Sequence, residues 1–524
     1  MNWLYGLPVA IASLFAMRPL VHWFQLESYQ FPGYFRTIRR NLPRAAFPGL
    51  VLAAASLILL LCSQAYQSAP VRLLVLAVLV PIGIQCAKLA ENRQAKKPLV
   101  YTARVKRLFI VSGLLFAATC ILLSLPGWLP LSLFPLLLPL WTALAGLLAW
   151  PVEKLISTLY LNSAKKKLRS RPDLLRIGIT GSYGKTSVKF ILATLLEERF
   201  QVLATPGSFN TPMGLTRVIR EKLEPSHQIF LAEMGARHRR DIKDLCRLVH
   251  PQMGVLTSVG PQHLDTFGSL ERIIETKYDL MRAVPSDGAC FFPDDGDICT
   301  GLWRRTEGKE KHLAGLKRAE GVEIWAEDVQ VSQEGSAFML CTAGESIACH
   351  TKLLGAHNIQ NILLAAAVCR KLGMNLKQIS RGIARLEPVA HRLQLIPAAG
   401  GITMIDDAFN SNPMGAARAL AVLKQFDGRR IIVTPGMVEL GEKESEYNRT
   451  FGTQMKGCVD LAVLVGAKHT QPIAEGMRSA GFAEEQILSV GSLEDALSKL
   501  REISKPGDVI LFENDLPDNY SEMK

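Results

Sequence analysis

Arg176-Ile-Gly-Ile-Thr-Gly-Ser-Tyr-Gly-Lys-Thr-Ser-Val-Lys-Phe-Ile-Leu-Ala-Thr-Leu-Leu-Glu197 carries the architecture of this chain. Residues 176–180 read as a short buried β-strand, and 185–197 place apolar side chains at helical spacing. Between them lies Gly181-Ser-Tyr-Gly-Lys-Thr186, the strand–loop–helix setting that a phosphate loop requires. Gly181, Ser182 and Gly184 let backbone N–H groups approach phosphate oxygens, and the helix N-terminus favours an anion. Lys185 can reach terminal phosphates, and the Thr186 hydroxyl, followed by Ser187, can ligate magnesium. The spacing departs from G-x-x-x-x-G-K-[ST] because Ile179 stands at the first glycine position, which leaves an ordinary strand–helix turn as the alternative.

Downstream, the same alternation continues. Ile229-Phe-Leu-Ala232 reads as a strand that delivers Glu233 to its carboxyl end, where open α/β sheets bind ligands and where a carboxylate suits a hard cation. Gly254-Val-Leu-Thr-Ser-Val259 leads toward His263, and Lys277 falls on a helix beginning near Ser269. Ile402-Thr-Met-Ile405 leads into Asp406-Asp407, and Leu461–Leu464 and Val509–Phe512 are further strands. The fold class is therefore α/β, with a last Rossmann-like domain beginning near His391. A strand-end acid and a surface lysine are the ordinary structural readings of Glu233 and Lys277.

Upstream, the texture is different. The 524 residues hold 60 Lys+Arg against 47 Asp+Glu, 48% are hydrophobic, and the mean hydropathy is +0.17. At that size about three or four folding units are expected. Residues 1–153 carry net +10, residues 154–171 add six basic groups and no acid, and the remainder is net −3. The positive balance belongs to the N-terminal part and does not indicate a nucleic-acid partner. Five apolar stretches precede residue 155: Trp3–Phe24, Ala45–Ser63, Val71–Ala87, Leu108–Leu125 and Leu131–Trp150. Each approaches the roughly 17–25 residues that span a bilayer as a helix. The loops 25–44 and 88–107 are rich in Arg and Lys, whereas Ala65–Pro70 and Pro126–Pro130 have no charge. Basic loops stay cytoplasmic, which puts the N-terminus outside and everything after Trp150 in the cytosol. Lys154, Lys165, Lys166, Lys167, Arg169 and Arg171 then form a juxtamembrane run suited to anionic lipid headgroups, or a solvated linker. Ten cysteines without a C-x-x-C pair support neither a zinc ribbon nor a disulfide framework.

Six further segments complete an ordered set with the phosphate loop: Thr205-Pro-Gly-Ser-Phe-Asn-Thr211, Glu233-Met-Gly235, His263-Leu-Asp-Thr-Phe-Gly-Ser269 with Lys277, Gly355-Ala-His-Asn-Ile-Gln-Asn361, Arg392-Leu-Gln394 and Asp406-Asp-Ala-Phe-Asn-Ser-Asn-Pro413. Together they resemble the Mur ligases, and most of all the MurF type, which attaches D-alanyl-D-alanine to cell-wall precursors. The resemblance runs from about Arg176 to the C-terminus.

It implies an ATP-dependent ligase that transfers the γ-phosphoryl group to an acceptor carboxylate, after which an amine attacks the acyl phosphate. It further implies ATP and Mg2+ as cofactors, with Thr186, Glu233, His263 and Lys277 at the metal, the last as a carbamate. Lys185, His263 and Lys277 become catalytic, and Asn358, Asn361, Arg392 and Asp407 join the phosphate loop in holding ATP. Asn210, Thr211, Asn410 and Asn412 fall to the substrates. Asn358 and Asn361 are expected in a loop opening a helix Asn361–Leu372, where an N-cap also accounts for Asn358.

Several positions depart from the family pattern. Thr211 replaces the second Asn of N-N-x-x-G, His391 the glycine of G-R-x-Q, and Phe409 a Tyr, and Phe512–Tyr520 lacks a glycine-rich ending. The family's nucleotide-holding first domain has no counterpart pattern in residues 1–171. The expected organisation is a membrane region 1–160, a central ATP-binding domain 161–388 and a C-terminal domain 389–524. Placement in the bacterial inner membrane, multi-pass and with the catalytic domains cytoplasmic, follows. Three functions compete: a MurF-like ligase on a nucleotide- or lipid-linked muropeptide with a small amine or dipeptide; a polymer-forming ligase resembling poly-γ-glutamate synthases; and a non-catalytic ATP-binding scaffold.

Overall fold

The computed structural model describes residues 6–63, 65, 68–91, 98–126, 128–207, 209–332, 335–397, 399–408, 411–438 and 440–515. Trp3, Arg93, Lys96, Lys97, Phe409, Asn410 and the tail from Leu516 to Tyr520 lie outside the described residues. Two compact units emerge, Met1–Leu159 and Tyr160–Lys524.

The first unit is helical. Among the described residues four helical segments are long and apolar enough to cross a membrane: Leu42–Ser63, Pro70–Ala90, Ala103–Ser124 and Leu129–Arg169. A fifth is possible as the pair Gly6–Ala16 and Arg18–Leu26, bent by 40°, where Pro19 occupies the first turn of the second helix. Leu52, Leu60, Phe116 and Leu138 point inward, while Ile58, Leu74, Ile110, Leu114 and Leu122 face outward uncovered. Close helix crossings rest on small residues: Gly6 lies against the Cys120 carbonyl and Gly83 against that of Ala12. The last apolar stretch lies on a longer helix, Leu138–Arg169, which runs on past Trp150 without a break. Pro151 is accommodated, and residues 152–169 hold neither a glycine nor a second proline that would end the helix earlier. The basic residues Lys154 to Arg169 are therefore helical.

Among the described residues the second unit contains two sheets. The larger comprises β1 (Leu175–Thr180), β2 (Val202–Ala204), β3 (Ile229–Glu233), β4 (Met253–Leu256), β5 (Ala289–Pro293), β6 (Glu310–Gly315), β7 (Val322–Ser332), β8 (Gly335–Thr342) and β9 (Ser346–Thr351). Their order is β2-β3-β1-β4-β5-β6-β7-β8-β9, parallel as far as β7 and antiparallel across β7-β8-β9. Helices Lys185–Leu196, Ala356–Lys371 and Leu376–Ala384 cover one face, and Pro212–Lys222, Asp241–Val249 and Leu270–Ala283 the other. Strand β1, buried on both faces, has β3 and β4 as neighbours, so its carboxyl end sits where the strand order reverses.

The second sheet comprises β10 (Gln394–Pro397), β11 (Thr403–Asp407), β12 (Arg430–Thr434), β13 (Leu461–Val465), β14 (Ile487–Val490) and β15 (Val509–Glu513). They run in the order β10-β11-β15-β12-β13-β14, and only β10 is antiparallel to its neighbour. Helices pack on both faces, as expected for a Rossmann-like layer arrangement. All ten cysteines are free.

Candidate active site

The loop after β1 is shaped by its glycines. Gly181 has φ +154° and a Cβ there would be driven into Thr257 Oγ1, while Gly184, at φ +79°, caps the helix Lys185–Leu196. The loop is tied to the segment beyond β4: Ser182 Oγ donates to the Gly260 carbonyl at 2.9 Å and Tyr183 Oη to that of Pro261 at 2.6 Å. Lys185 Nζ folds back onto the carbonyls of Gly181 (2.7 Å) and Ser182 (2.9 Å). Burial pulls its pKa down to about 8, with Glu233 opposing and Arg392 reinforcing the shift.

Glu233, 1% exposed at the end of β3, is the hub. Its Oε1 accepts from Thr186 Oγ1 at 3.2 Å and from Asn210 Nδ2 at 3.1 Å. Its Oε2 accepts from Lys189 Nζ at 3.0 Å, and that buried ammonium also donates to the Gly207 carbonyl. Burial lowers the Lys189 pKa, and the Glu233 carboxylate works against that. Lys189 is not among the residues that sequence reasoning singles out. A signal for it exists: it lies one turn after Lys185, on the same helix face, inside an apolar run.

Lys277 is fully enclosed on the helix Leu270–Ala283, whose N-cap is Ser269. Burial, followed by the positive charge of Lys185, drives its pKa well below the ordinary lysine value, with Asp241 opposing. His263 adopts φ +53° and caps the one-turn helix Leu264–Phe267, two residues beyond the Pro261 that holds Tyr183.

The second sheet reaches this loop. Arg392 lies within electrostatic range of Asp407 and Glu233, and it shares a cleft with Ser187 and Asn358. Burial pushes the Tyr183 phenol pKa up, with Tyr447 reinforcing and Arg418 opposing the shift. Burial, joined by Arg418, lowers His357 to about 3, so that imidazole is neutral. Asp407 is raised to about 8 by burial and by Glu513, against the pull of Arg392. Glu513 itself is raised to about 7 by burial, although it accepts hydrogen bonds from Ser411 Oγ and from Thr434 Oγ1, the latter at 2.8 Å.

Some expected residues are placed differently. The helix containing Asn358 and Asn361 begins at Ala356 behind Gly355, so both lie inside it and Asn358 is not its N-cap. Asn358 Nδ2 instead donates back to the Leu354 carbonyl at 2.9 Å, and the Asn361 side chain packs over Gly184. Thr211 and Asn412 are N-caps, accepting from the N–H groups of Gly214 and Gly415. Asn410 lies outside the described residues.

Among the described residues no three His, Cys, Asp or Glu side chains group as a metal cluster. The Thr186 hydroxyl beside the Glu233 carboxylate nevertheless offers two hard oxygen donors next to a phosphate loop, which fits one small hard cation. The arrangement can hold a polyphosphate against cationic groups and shield the reacting centre from water.

Comparison with known proteins gives the same picture. Residues 179–369 match the Mur ligase middle domain and residues 391–513 the Mur ligase, glutamate ligase domain. The chain is 32% identical over 356 residues to the UDP-N-acetylmuramoyl-tripeptide--D-alanyl-D-alanine ligase of Mycobacterium tuberculosis, covering 64% of this chain and 69% of that one. It is 30% identical over 322 residues to the ligase of the same name from Escherichia coli, covering 62% and 66%. Among solved structures, MurF from Acinetobacter baumannii shares the fold with TM-score 0.63 and 24% identity, over 70% of this chain and 78% of that one. MurF ligase from Thermotoga maritima in complex with ADP aligns with TM-score 0.61 and 25% identity, over 68% and 80%.

Proposed function

This chain belongs to the Mur ligase family, and on that basis we propose a membrane-anchored, MurF-type ligase that joins D-alanyl-D-alanine to the peptide of a peptidoglycan precursor at the expense of ATP. The observation that carries this reading is the convergence of Lys189, Thr186 and Asn210 on Glu233 beside the phosphate loop, with Arg392 entering from the second sheet.

In this reading the loop N–H groups and Lys185 hold the ATP phosphates, and the cleft of Ser187, Asn358 and Arg392 takes the nucleoside. Asp407 faces its ribose. Thr186 and Glu233, joined by His263 and a carbamylated Lys277, would hold Mg2+, which supplies charge neutralisation on phosphoryl oxygens. The depressed pKa of Lys277 supports the carbamate: a neutral amine is the form that reacts with CO2, and the resulting anion would answer the charge of Lys185. Asn210 stays on Glu233 and positions it, and Thr211 and Asn412, with Asn410, fall to the acceptor and the amine. Enclosure of the site keeps water from the acyl phosphate.

We take residues 1–160, 161–388 and 389–524 as membrane, central and C-terminal domains. The outward apolar faces of the first unit support insertion in a membrane, which we take to be the bacterial inner membrane, and the basic loops 25–44 and 88–107 put the ligase domains in the cytoplasm. A lipid-linked muropeptide is then the acceptor that gives those helices a use beyond anchoring.

The test is acceptor-dependent phosphate release from the detergent-purified protein, with products read by mass. D-alanyl-D-alanine is offered with either the nucleotide-linked or the lipid-linked muramyl tripeptide. One addition per acceptor is expected, faster on the lipid-linked form. A ladder of products, or no release with either acceptor, overturns the reading.

A further inference from the structure

The second unit carries a cleft of about 520 Å³ at the end of β1 away from the phosphate loop. Arg176, in its wall, precedes Gly181 by five residues, about 16 Å of extended chain, so a ligand there stands apart from the reacting groups.

Cations outnumber acids in this cleft. Arg176, Lys243, Arg247 and Arg282 line it with one carboxylate, Asp279. Asp279 is 5% exposed and is taken by Arg282 at 3.0 Å and Lys243 at 3.7 Å. Arg282 also pairs with Glu275, which Arg305 shares, and Arg247 pairs with Asp244 at 3.1 Å. Arg176 has no carboxylate partner among the described residues. Its Nε donates to Gln252 Oε1 at 3.1 Å, and neither Nη bonds to a described residue. The same amide oxygen accepts the Arg176 backbone N–H at 2.8 Å, so the side chain is tied at its base and at Nε. The carbonyls ending the helix Leu270–Ala283 do not offset this charge, because Lys309 Nζ takes those of Met281 (2.7 Å), Arg282 (2.9 Å) and Val284.

Two further cations come from the helix that ends at Arg169. Its Ala164 and Leu168 are buried in the core of the second unit. Lys165 and Arg169 lie, with Arg176, within electrostatic range of His250, another wall residue. Burial, followed by Arg176, Arg169 and Lys165, lowers the His250 pKa, since neighbouring cations disfavour its protonation. Earlier on the same helix Leu155, Leu159 and Tyr160 are exposed. Lys165 follows Tyr160 by five residues, about 7.5 Å of helical rise, which is close to the depth of one headgroup layer.

We propose that this cleft binds the phosphate of an anionic phospholipid headgroup, with Arg176 on the phosphate, Lys165 and Arg169 raising the local potential, and Pro251, Ala283 and Pro285 against the glycerol part. Guanidinium groups pair with phosphate oxygens through parallel N–H bonds, and basic residues just beyond a membrane helix attract anionic lipid. The cleft volume lies in the range of small-ligand sites. The inference goes beyond the ligation reaction and rests on membrane insertion of the first unit. A phosphate ester from solution offers the same chemistry, and the test separates the two sources.

The experiment follows amide hydrogen exchange of the full chain in phosphatidylcholine nanodiscs with increasing phosphatidylglycerol. Segments 243–252 and 279–285 should become protected as phosphatidylglycerol is added. Arg176→Gln should need about tenfold more of it, the effect of one lost charge-assisted contact. Ala283→Glu, which adds an anion at an exposed position of the wall, should weaken the protection as well. Both variants should bind ADP as the wild type does, and if Arg176→Gln loses ADP affinity through misfolding, Ala283→Glu decides. No protection by phosphatidylglycerol, or unchanged protection in a variant that still binds ADP, overturns the proposal. Equal protection by millimolar glycerol 3-phosphate overturns the lipid assignment in favour of a soluble phosphate ester. Failure of the chain to enter nanodiscs overturns the membrane reading and this proposal together.

Discussion

Lys189 Nζ stands 3.0 Å from Glu233 Oε2, with the two side chains 0% and 1% exposed. The pair joins the helix after the phosphate loop to the end of β3, and it fixes the carboxylate that Thr186 and Asn210 share. Removing one partner of a buried pair leaves the other uncompensated, which costs about 3–5 kcal/mol. Lys189→Met should therefore lower the thermal midpoint of the purified protein sharply and abolish ligation. A variant that melts with wild-type behaviour would show that the pair does not hold the site together.

Lys277→Ala should reduce acceptor-dependent phosphate release by roughly a hundredfold or more, the scale of losing one preorganised electrostatic partner. Lys277→Glu, which restores an anion at the same place, should recover part of that rate. Removing dissolved CO2 should slow the wild type and leave Lys277→Glu unaffected. A near-normal rate for Lys277→Ala would rule out the carbamate.

Glu513 carries a pKa raised from 4.5 to about 7. In the fold it keeps its proton at pH values where the unfolded chain has released it. The associated stability is thus fully present below the unfolded value and is lost as pH rises through about 7. The shift is worth up to about 3 kcal/mol, and Asp407, raised to about 8, acts in the same direction. The thermal midpoint should fall between about pH 5 and about pH 8, and Glu513→Gln should flatten that fall. An equally steep fall in the variant would assign the effect elsewhere.

Gly181 has no room for a side chain because Thr257 Oγ1 occupies the position of a Cβ. Gly181→Ala should displace the loop at a cost on the order of 2–3 kcal/mol, or roughly a hundredfold in ADP affinity. Gly301→Ala, where nothing lies within 4 Å, serves as the control and should bind as wild type. Calorimetric titration of ADP reads both, and equal affinities would show the loop to be adaptable.

Much of the site is legible because backbone geometry dictates residue type locally. Gly181, Gly184, Lys185 and Thr186 belong to one turn, and Glu233 announces itself by following an apolar strand. Asn358 escapes that logic because its side chain satisfies the Leu354 carbonyl four residues back, within a helix that starts behind Gly355, ahead of the apolar periodicity. Lys189 escapes it because an interior lysine in an apolar run looks like a surface residue until its partner, 44 positions away, is known.

Local periodicity and composition suffice for the α/β class, the phosphate loop, the apolar helices and the sign of charge on their loops, since each is a property of neighbouring residues. Which polar and charged groups meet is a property of the folded chain alone. Lys189 with Glu233, Arg392 with Asp407, Glu513 with Ser411, and Arg104 and Arg107 with Glu153 join segments that periodicity cannot connect. Their energies depend on burial and distance, and those exist only once the chain has folded.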